Sequence, residues 1–595
     1  MKRSMRILSA ILVLCMVISS LSLTVFARDH SFKGKLEDGT AKVFELVIKG
    51  ALGAVDFFLP DGENFFDKDT YQSPNFLQGS GKFIDVAPKS ATWRLGAAEV
   101  SLVPEDYKEH PYYLGGYIML ENGMNNHVEE LLDDMKARVI AIDDNSGRGT
   151  AVFATIDSIG MTNKDIQQIR ARLIEKAGEN VKFSGITVSS THCHSGIDTE
   201  GLWTKTVGKV IKNLFRSFLH IGKLETGTDS EYMEFLYEAV SDAMVKACKT
   251  MENGTMTYAS KDIGADYFNN KNRSSASALM TDMNRFVFTP FNESAKPTMI
   301  VNVAAHPDVA GLPTSDGQGN GRGVSGDYIY YMGKTINDAG YNFMFFNGAI
   351  AGIYMSRGVT NNGQTFTHRV QQSERYGSEL GKMALALTLS EEEILAYEAT
   401  GGFKLVDKDV EAKEVAACEE NGGKYHYWYK DWTPVEEMRL DPLFNIRFKQ
   451  VDIEVTNPLI RIAGKLNLAA YDVLKKGRDY YIRTEIGYME LGGGKVRVAL
   501  MPGEVCQDLV VGGTSLTADG AYKGKDFGYK TITDLFGEGT IVFGLANDAI
   551  GYVIPDNDFC MCGIFDHYHE LICLGDVTAS SVMQSFADLA EICGR

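Results

Sequence analysis

Residues 181–196 read VKFSGITVSSTHCHSG, and this stretch decides the fold. A β-branched run, 181–188, carries straight into a polar loop holding His192 and His194. Such a run with its apolar side chains in alternation reads as a strand, and residues two apart on an extended chain face the same way. The same grammar recurs. Residues 297–304 (PTMIVNVA) run into Ala305, His306 and Pro307, and residues 342–346 run into a Gly-rich turn. Upstream, residues 138–143 (RVIAID) and 150–155 (TAVFAT) read as two strands joined by a polar turn at 144–148. Residues 163–176 have helical spacing, with Ile166, Ile169, Leu173 and Ile174 on one stripe. Strands that end in polar loops, with helices between them, indicate an α/β body whose site lies at the strand ends.

Beyond about residue 400 the pattern shifts to β. Residues 451–455, 480–484 and 496–501 read as short strands, and 580–592 as a last helix. Residues 28–92 are Gly-rich and mixed, with aromatic pairs at Phe57–Phe58 and Phe65–Phe66, and read as an N-terminal extension packed on the body. Neither an internal repeat nor a low-complexity linker is present. The expected architecture is one large composite catalytic domain over 93–595, built of mixed β-sheets with flanking helices.

The first 27 residues open with Lys2, Arg3 and Arg6, continue through an apolar run, and end in the small residues Val25 and Ala27. That is a cleavable secretory signal peptide, the alternative being an anchor helix, and it sets the expectation of a secreted or extracytoplasmic protein. The formal charge of −19 includes those three positive residues and becomes about −22 on cleavage. So acidic a chain does not suit nucleic-acid binding. Nine cysteines are too few for a disulfide scaffold. Cys560, Cys562, Cys573 and Cys593 read as disulfide partners, as buried thiols or, with Cys560 and Cys562 two apart and Cys573 beyond, as a zinc knuckle, although no second ligand pair follows at finger spacing.

On the residues alone, His192 and His194 are either metal-facing or solvated and core histidines. His306, at another strand exit, is a third donor or a buried structural ring. Glu504, in a Pro-Gly turn after 496–500, is a ligand, a base or a solvated acid. Tyr552 would ordinarily be packing. Neutral imidazole suits zinc, which needs three or four ligands.

Taken together, THCHSG at 191–196, NRS at 272–274, AAHP at 304–307, SGD at 325–327, PGE at 502–504 and LANDAIGY at 545–552 resemble the neutral (non-lysosomal) ceramidases. Residues 95–103 and 115–117 resemble that family's opening. The resemblance covers about residues 93–592 and includes no C-terminal immunoglobulin-like domain. It implies a zinc-dependent amidohydrolase that cleaves the amide bond of an N-acylated, lipid-like substrate. By position, His192, His306, Glu504 and Tyr552 would ligate Zn2+, leaving room for water. His194 would pass a proton to the leaving amine, Arg273 would hold the developing oxyanion, and Tyr568 would contact substrate. One departure matters. The family's Gly-Asp-Val-Ser-Pro loop is matched here by Gly-Ala-Ile-Ala-Gly at 348–352, without its aspartate or serine. Attack by hydroxide held on zinc is therefore expected in place of a covalent serine route, unless Ser356 substitutes. The rival readings are a metallohydrolase of the same fold acting on another amide or ester, and a lipid-binding homologue without catalysis.

Residues 204–224 (TKTVGKVIKNLFRSFLHIGKL) contain five basic side chains and no acid. Val207, Val210, Ile211, Leu214, Phe215 and Phe218 recur at helical spacing, so this helix either lies on an anionic membrane or packs on the body.

Overall fold

Alternation along the strand Lys136–Asp143 sets the layering. Val139 and Ala141 face one apolar core and Ile140 and Ile142 face another. The strand is buried on both sides, as a sheet covered on both faces requires. The computed structural model describes residues 32–116, 127–178, 181–203, 206–272, 276–310, 323–356, 358–362, 366, 368–469, 471–563 and 567–595. The leader at 1–27 lies outside the described residues.

Two mixed sheets stack face to face. The larger has nine strands, in the order Asn342–Asn347, Thr298–Val303, Asp282–Pro290, Glu252–Asp262, Trp93–Ser101, Lys136–Asp143, Thr150–Ile156 and Phe183–Ser190, with Met438–Leu440 paired to Glu252–Asp262. The smaller has six: Phe65–Asp67, Val473–Lys476, Asp479–Leu491, Val496–Leu500 and Ile541–Phe543, with Phe444–Glu454 paired to Asp479–Leu491. Trp93, Ile140, Phe153 and Phe346 of the first interleave with Ile446, Phe448, Val498 and Phe543 of the second. The rings of Phe346 and Phe543 stack 3.9 Å apart at 3°. Helices Asn163–Ala177 and Ser230–Lys249 pack on the outer side of the nine-stranded sheet, as do Asp327–Asp338 and Val370–Ala386 further along it. Helix Thr578–Cys593 covers the six-stranded sheet. The α/β expectation of mixed sheets with flanking helices therefore holds, as a four-layer α/β/β/α stack.

The strands read from the sequence fall within one to three residues of those observed, except in the C-terminal half. There the short runs at 451–455 and 480–484 are parts of an eleven- and a thirteen-residue strand, Phe444–Glu454 and Asp479–Leu491. The larger difference is at the N-terminus. Residues Phe32–Phe58 form one long helix despite four glycines, each costing about 1 kcal/mol against Ala. Ile48, Leu52, Val55 and Leu59 bury against the body and offset that cost. Among the described residues no helix is long and apolar enough to cross a membrane, and eight cysteines are free.

The two sheets are tied together at one end. The Asn347 side chain, 1% exposed, donates to Thr191 O (2.8 Å) and Ala305 O (3.2 Å) and accepts from the Ala305 and Gly348 amides. Gly544 N in turn donates to Asn347 O at 2.9 Å. Asn347 thus joins three strand exits of one sheet to an exit of the other. Asn347→Ala removes the bonds to the Thr191 carbonyl and the Ala305 amide, while Ala305 O keeps the Tyr328 hydroxyl and Gly348 N keeps Val303 O, and should lower the urea-unfolding free energy by about 2–4 kcal/mol, read from the shift in midpoint at constant m-value.

Candidate metal centre

Four strand exits, two from each sheet, deliver four side chains to one place. Phe183–Ser190 leads to His192 and Thr298–Val303 to His306. Val496–Leu500 leads to Glu504 and Ile541–Phe543 to Tyr552. The last two are fixed by pairing: Glu504–Val505 runs parallel to Tyr552–Val553, with Glu504 opposite Tyr552. Gly503 makes this approach feasible. Its φ is +79°, and a Cβ there would lie 2.3 Å from Gly551 O. His192 does not follow strand periodicity. Its φ is +65°, in the left-handed region, so a turn and not an extended segment brings it beside His194. Such conformations cost energy in a non-glycine residue and concentrate at functional sites.

Both imidazoles are held from behind. His192 Nδ1 lies 2.7 Å from Ile159 O, and His306 Nδ1 lies 2.8 Å from Ile353 O. A carbonyl can only accept, so each Nδ1 carries a proton and each Nε2 points forward. Both Nε2 atoms meet one oxygen, Glu504 Oε2, at 3.3 Å and 2.9 Å. His306 is fully buried and Glu504 only 5% exposed. Burial would raise the Glu504 carboxyl, but His192 and His306 outweigh it and hold it well below the usual carboxylate range. Burial would lower His306, and the bond to Glu504 reverses that and raises it. Two forward Nε2 atoms around one buried carboxylate oxygen are a candidate ligand set once the positions facing Glu504 are deprotonated, and the backbone carbonyls behind them are the kind of partner that metal-binding histidines use.

The neighbouring groups complete the wall. The donor atoms of His192, His194 and His306 lie within 4.8 Å of one another. Burial, then the charges of His192 and His306, push the His194 imidazole well down, so it is neutral. Gly116, with φ +104°, admits the His194 ring, because a Cβ there would sit 2.7 Å from it. Burial and the Glu504 charge push the Tyr552 phenol well up. Tyr568 reaches the site too. Its hydroxyl meets that of Tyr354 at 2.8 Å, and its ring lies 6.2 Å from that of Tyr552. Burial raises Tyr568 to about 12. Arg273 lies outside the described residues. Its neighbour Asn272 donates from Nδ2 to Ala351 O at 2.8 Å, which fastens that segment to the 348–352 loop.

Two contributors were not read from the sequence. Tyr354 stacks on His306 at 4.5 Å and 20°, and its backbone bridges that of His306. Its position two residues beyond Gly352, at the exit of a strand that ends beside His306, was the available signal. Glu200 lines the adjoining cavity, and burial followed by the charge of Asp198 pushes its carboxyl well up, so it is neutral. Asp327 of the SGD motif is a support. Fully buried, its Oδ2 accepts from the amides of Val309 and Ala310 at 2.9 Å, which fixes the loop beyond His306.

The cavity, about 130 Å³, runs from His192, His194, Glu504 and Tyr552 along Ile460, Ala463, Val473 and Ile482. Apart from Glu200, Arg461, Tyr471 and Tyr480, its far wall is apolar. The 348–352 loop brings no hydroxyl; Ala349, Ile350 and Ala351 are buried there. Ser356 lies beyond Tyr354, its amide donating to Tyr267 O. It is not among the residues that line the cavity.

No protein-family model matches the chain, and no curated protein matches it. Among solved structures it is similar to neutral ceramidase from Pseudomonas aeruginosa, with TM-score 0.54 and 12% identity over 84% of this chain and 74% of that one. It is similar also to a ceramidase complexed with C2, with TM-score 0.53 and 12% identity over 84% and 75%. The chain therefore has a neutral-ceramidase-like fold.

Replacing His306 with Ala removes one forward Nε2 and leaves Glu504 buried with one partner. Zinc content by plasma mass spectrometry should fall by about one equivalent per chain relative to wild type. Unchanged content would place the ion elsewhere.

Proposed function

We propose that this protein is a zinc-dependent amidohydrolase acting on an N-acylated, lipid-like substrate. The observation that carries the reading is the apolar cavity that opens on the His192–His306–Glu504–Tyr552 cluster. An acyl chain fits its aliphatic wall, and a carbonyl at its inner end would lie beside polar donors. His192, His306, Glu504 and Tyr552 are the residues that would hold the ion, and the nitrogen and oxygen donors suit zinc. Zinc, when bound, would acidify water and polarise the amide carbonyl.

The chain's own residues supply the rest. With no nucleophilic side chain on the 348–352 loop, water is the attacking group and no acyl-enzyme forms. His194, neutral and half-buried, can accept a proton and release it to the leaving nitrogen. Arg273 is assigned the developing oxyanion, where fixed guanidinium donors stabilise charge. Tyr568, linked to Tyr354, is assigned to the substrate's polar head. The neutral Glu200 can donate a hydrogen bond on the cavity wall without placing a charge there. The fold likeness to ceramidases supports ceramide as the first substrate to test. Other N-acyl amides and esters are the nearest rivals, because the absent loop serine changes the surroundings of the amide.

The basic helix is assigned to the lipid surface. Thr204 and Lys205 lie outside the described residues, Thr206–Leu219 forms a helix, and residues 220–224 follow it outside regular structure. It presents two faces. Leu214 is buried and Val210 and Phe218 pack against the core, while Ile211, Phe215, Leu219 and the following Ile221 are exposed. Asn213 Nδ2 ties it to Leu466 O at 2.9 Å, next to Lys465, which pairs with Asp56 at the end of the N-terminal helix. That helix also exposes Leu46, Val47 and Phe57. Lys209, Lys212, Arg216 and Lys223 surround the outer row, with Glu225 the one acid bonded to Lys212 and Arg216. Exposed apolar side chains ringed by cations fit an anionic bilayer.

Two measurements check these assignments. Hydrolysis across a panel of N-acyl amides and esters should rise with acyl length. Turnover of ceramide fixes the substrate class, turnover of other members alone moves it, and none on any member would sink the enzyme reading. Replacing Ile211, Phe215 and Leu219 together with Ser should lower binding to phosphatidylglycerol vesicles at least tenfold in a folded protein, given about 1.5–3 kcal/mol per buried large apolar side chain. Unchanged binding would remove the helix from the lipid surface.

A further inference from the structure

A second cluster of metal-binding side chains lies away from the cavity, and the proposed hydrolysis uses none of it. Cys560 and Cys562 are 0% and 1% exposed, and His567 is buried beside them. Their donor atoms all lie within 4.8 Å of one another. His567 Nδ1 is 2.7 Å from Glu570 Oε1, and Glu570 is itself fully buried. That bond places the ring proton on Nδ1 and the lone pair on Nε2, the carboxylate–histidine arrangement found behind metal ligands. A fourth donor arrives from far away in sequence. Glu45, on the N-terminal helix, has Oε2 3.7 Å from Cys560 Sγ and Oε1 3.2 Å from the Met561 amide. Lys49, one turn on, pairs with Glu45 at 2.9 Å. Ala41, one turn back, packs with Tyr522 against the two cysteines.

We propose that Cys560, Cys562, His567 and Glu45 form a closed structural zinc site that clips the N-terminal helix to the catalytic body. Cys560, Cys562 and His567 already converge, and the Glu45 carboxylate, which touches Cys560 alone of the three, would turn onto the ion to complete a tetrahedral shell of two sulfurs, one nitrogen and one oxygen; a shell so filled suits a structural ion and not a catalytic one. Thiolates select zinc over calcium or magnesium. With both thiols ionised, their two charges cancel the cation's, and Lys49 balances Glu45. The helix has reason to be fastened here. Its C-terminal half is anchored by Ile48, Leu52, Val55 and the Asp56–Lys465 pair, and Glu45, at its midpoint, would extend that anchorage toward the other half. This site stands independently of the hydrolase reading.

The test uses the full chain with cobalt(II) exchanged for zinc. Wild type should show sulfur-to-cobalt charge-transfer absorption in the near ultraviolet. The band should persist in His306→Ala and vanish in the double variant Cys560→Ser, Cys562→Ser. Among the described residues this cluster alone places cysteines with a third donor at metal spacing, so the band separates it from the His306 cluster. Glu45→Gln should keep the band but release metal to a chelator about 10–100-fold more readily. Proteolysis within residues 32–58 should accelerate on chelation. The wild-type spectrum alone decides if the cysteine variant fails to fold. Absence of the band, or a Cys560–Cys562 disulfide in the non-reduced peptide map, overturns the site. A protease-resistant helix after metal removal overturns the clip.

Discussion

Everything about this molecule's site follows from one buried carboxylate. Glu504 is ionised in a place where water barely reaches, and a buried charge survives only with partners. Its partners are two imidazoles from the other sheet. The pairing therefore requires both sheets to end at the same point, which fixes the stacking of the layers and the lengths of the strands that feed it. Asn347 supplies the backbone counterpart by linking the same exits with neutral hydrogen bonds. Had the sheets slid by one residue, the carboxylate would lose its imidazoles and the amide groups around Asn347 would lose their acceptors.

Much of this was legible in the sequence, because strand runs that end in His, Glu or Tyr are readable as local grammar. His192, His306, Glu504 and Tyr552 come together as the motif order suggested, and Tyr568 joins them. The reason for one of them differed. His192 and His194 meet through a left-handed turn, not through strand alternation, and no pattern of apolar residues encodes a φ value. The N-terminal helix was illegible for another reason. Its glycines argue against a helix locally, and only burial of Ile48, Leu52 and Val55 on a surface built from residues hundreds of positions away makes it form. Tyr354 and Glu200 matter through stacking and burial, which are properties of the assembled cavity and not of either residue's neighbours in sequence.

The basic helix shows how composition can be read correctly and still be incomplete. Its apolar residues have helical spacing, yet they divide between two jobs. Leu214 is core, while Ile211 and Phe215 face out. A single amphipathic stripe would have one face to bury. This helix has an apolar arc wide enough for two rows, Val210, Leu214 and Phe218 on the body and Ile211, Phe215 and Leu219 outward beside the cations, so packing on the body and contact with lipid are compatible instead of exclusive.

The parallel bridge between Glu504 and Tyr552 gives the chain a freedom of its own. These two residues are held at the spacing of neighbouring strands, and the backbone bonds that hold them are indifferent to side-chain identity. The long segment that joins them in sequence leaves and returns through that clasp. Within it the strand Ile541–Phe543 and the bond from Gly544 to Asn347 are fixed by the sheets, so only the loops outside them can change length without altering the distance between the two side chains. Divergence among chains of this fold would then gather in that excursion, and two oxygens that must stay in step would be inherited as one mechanical part.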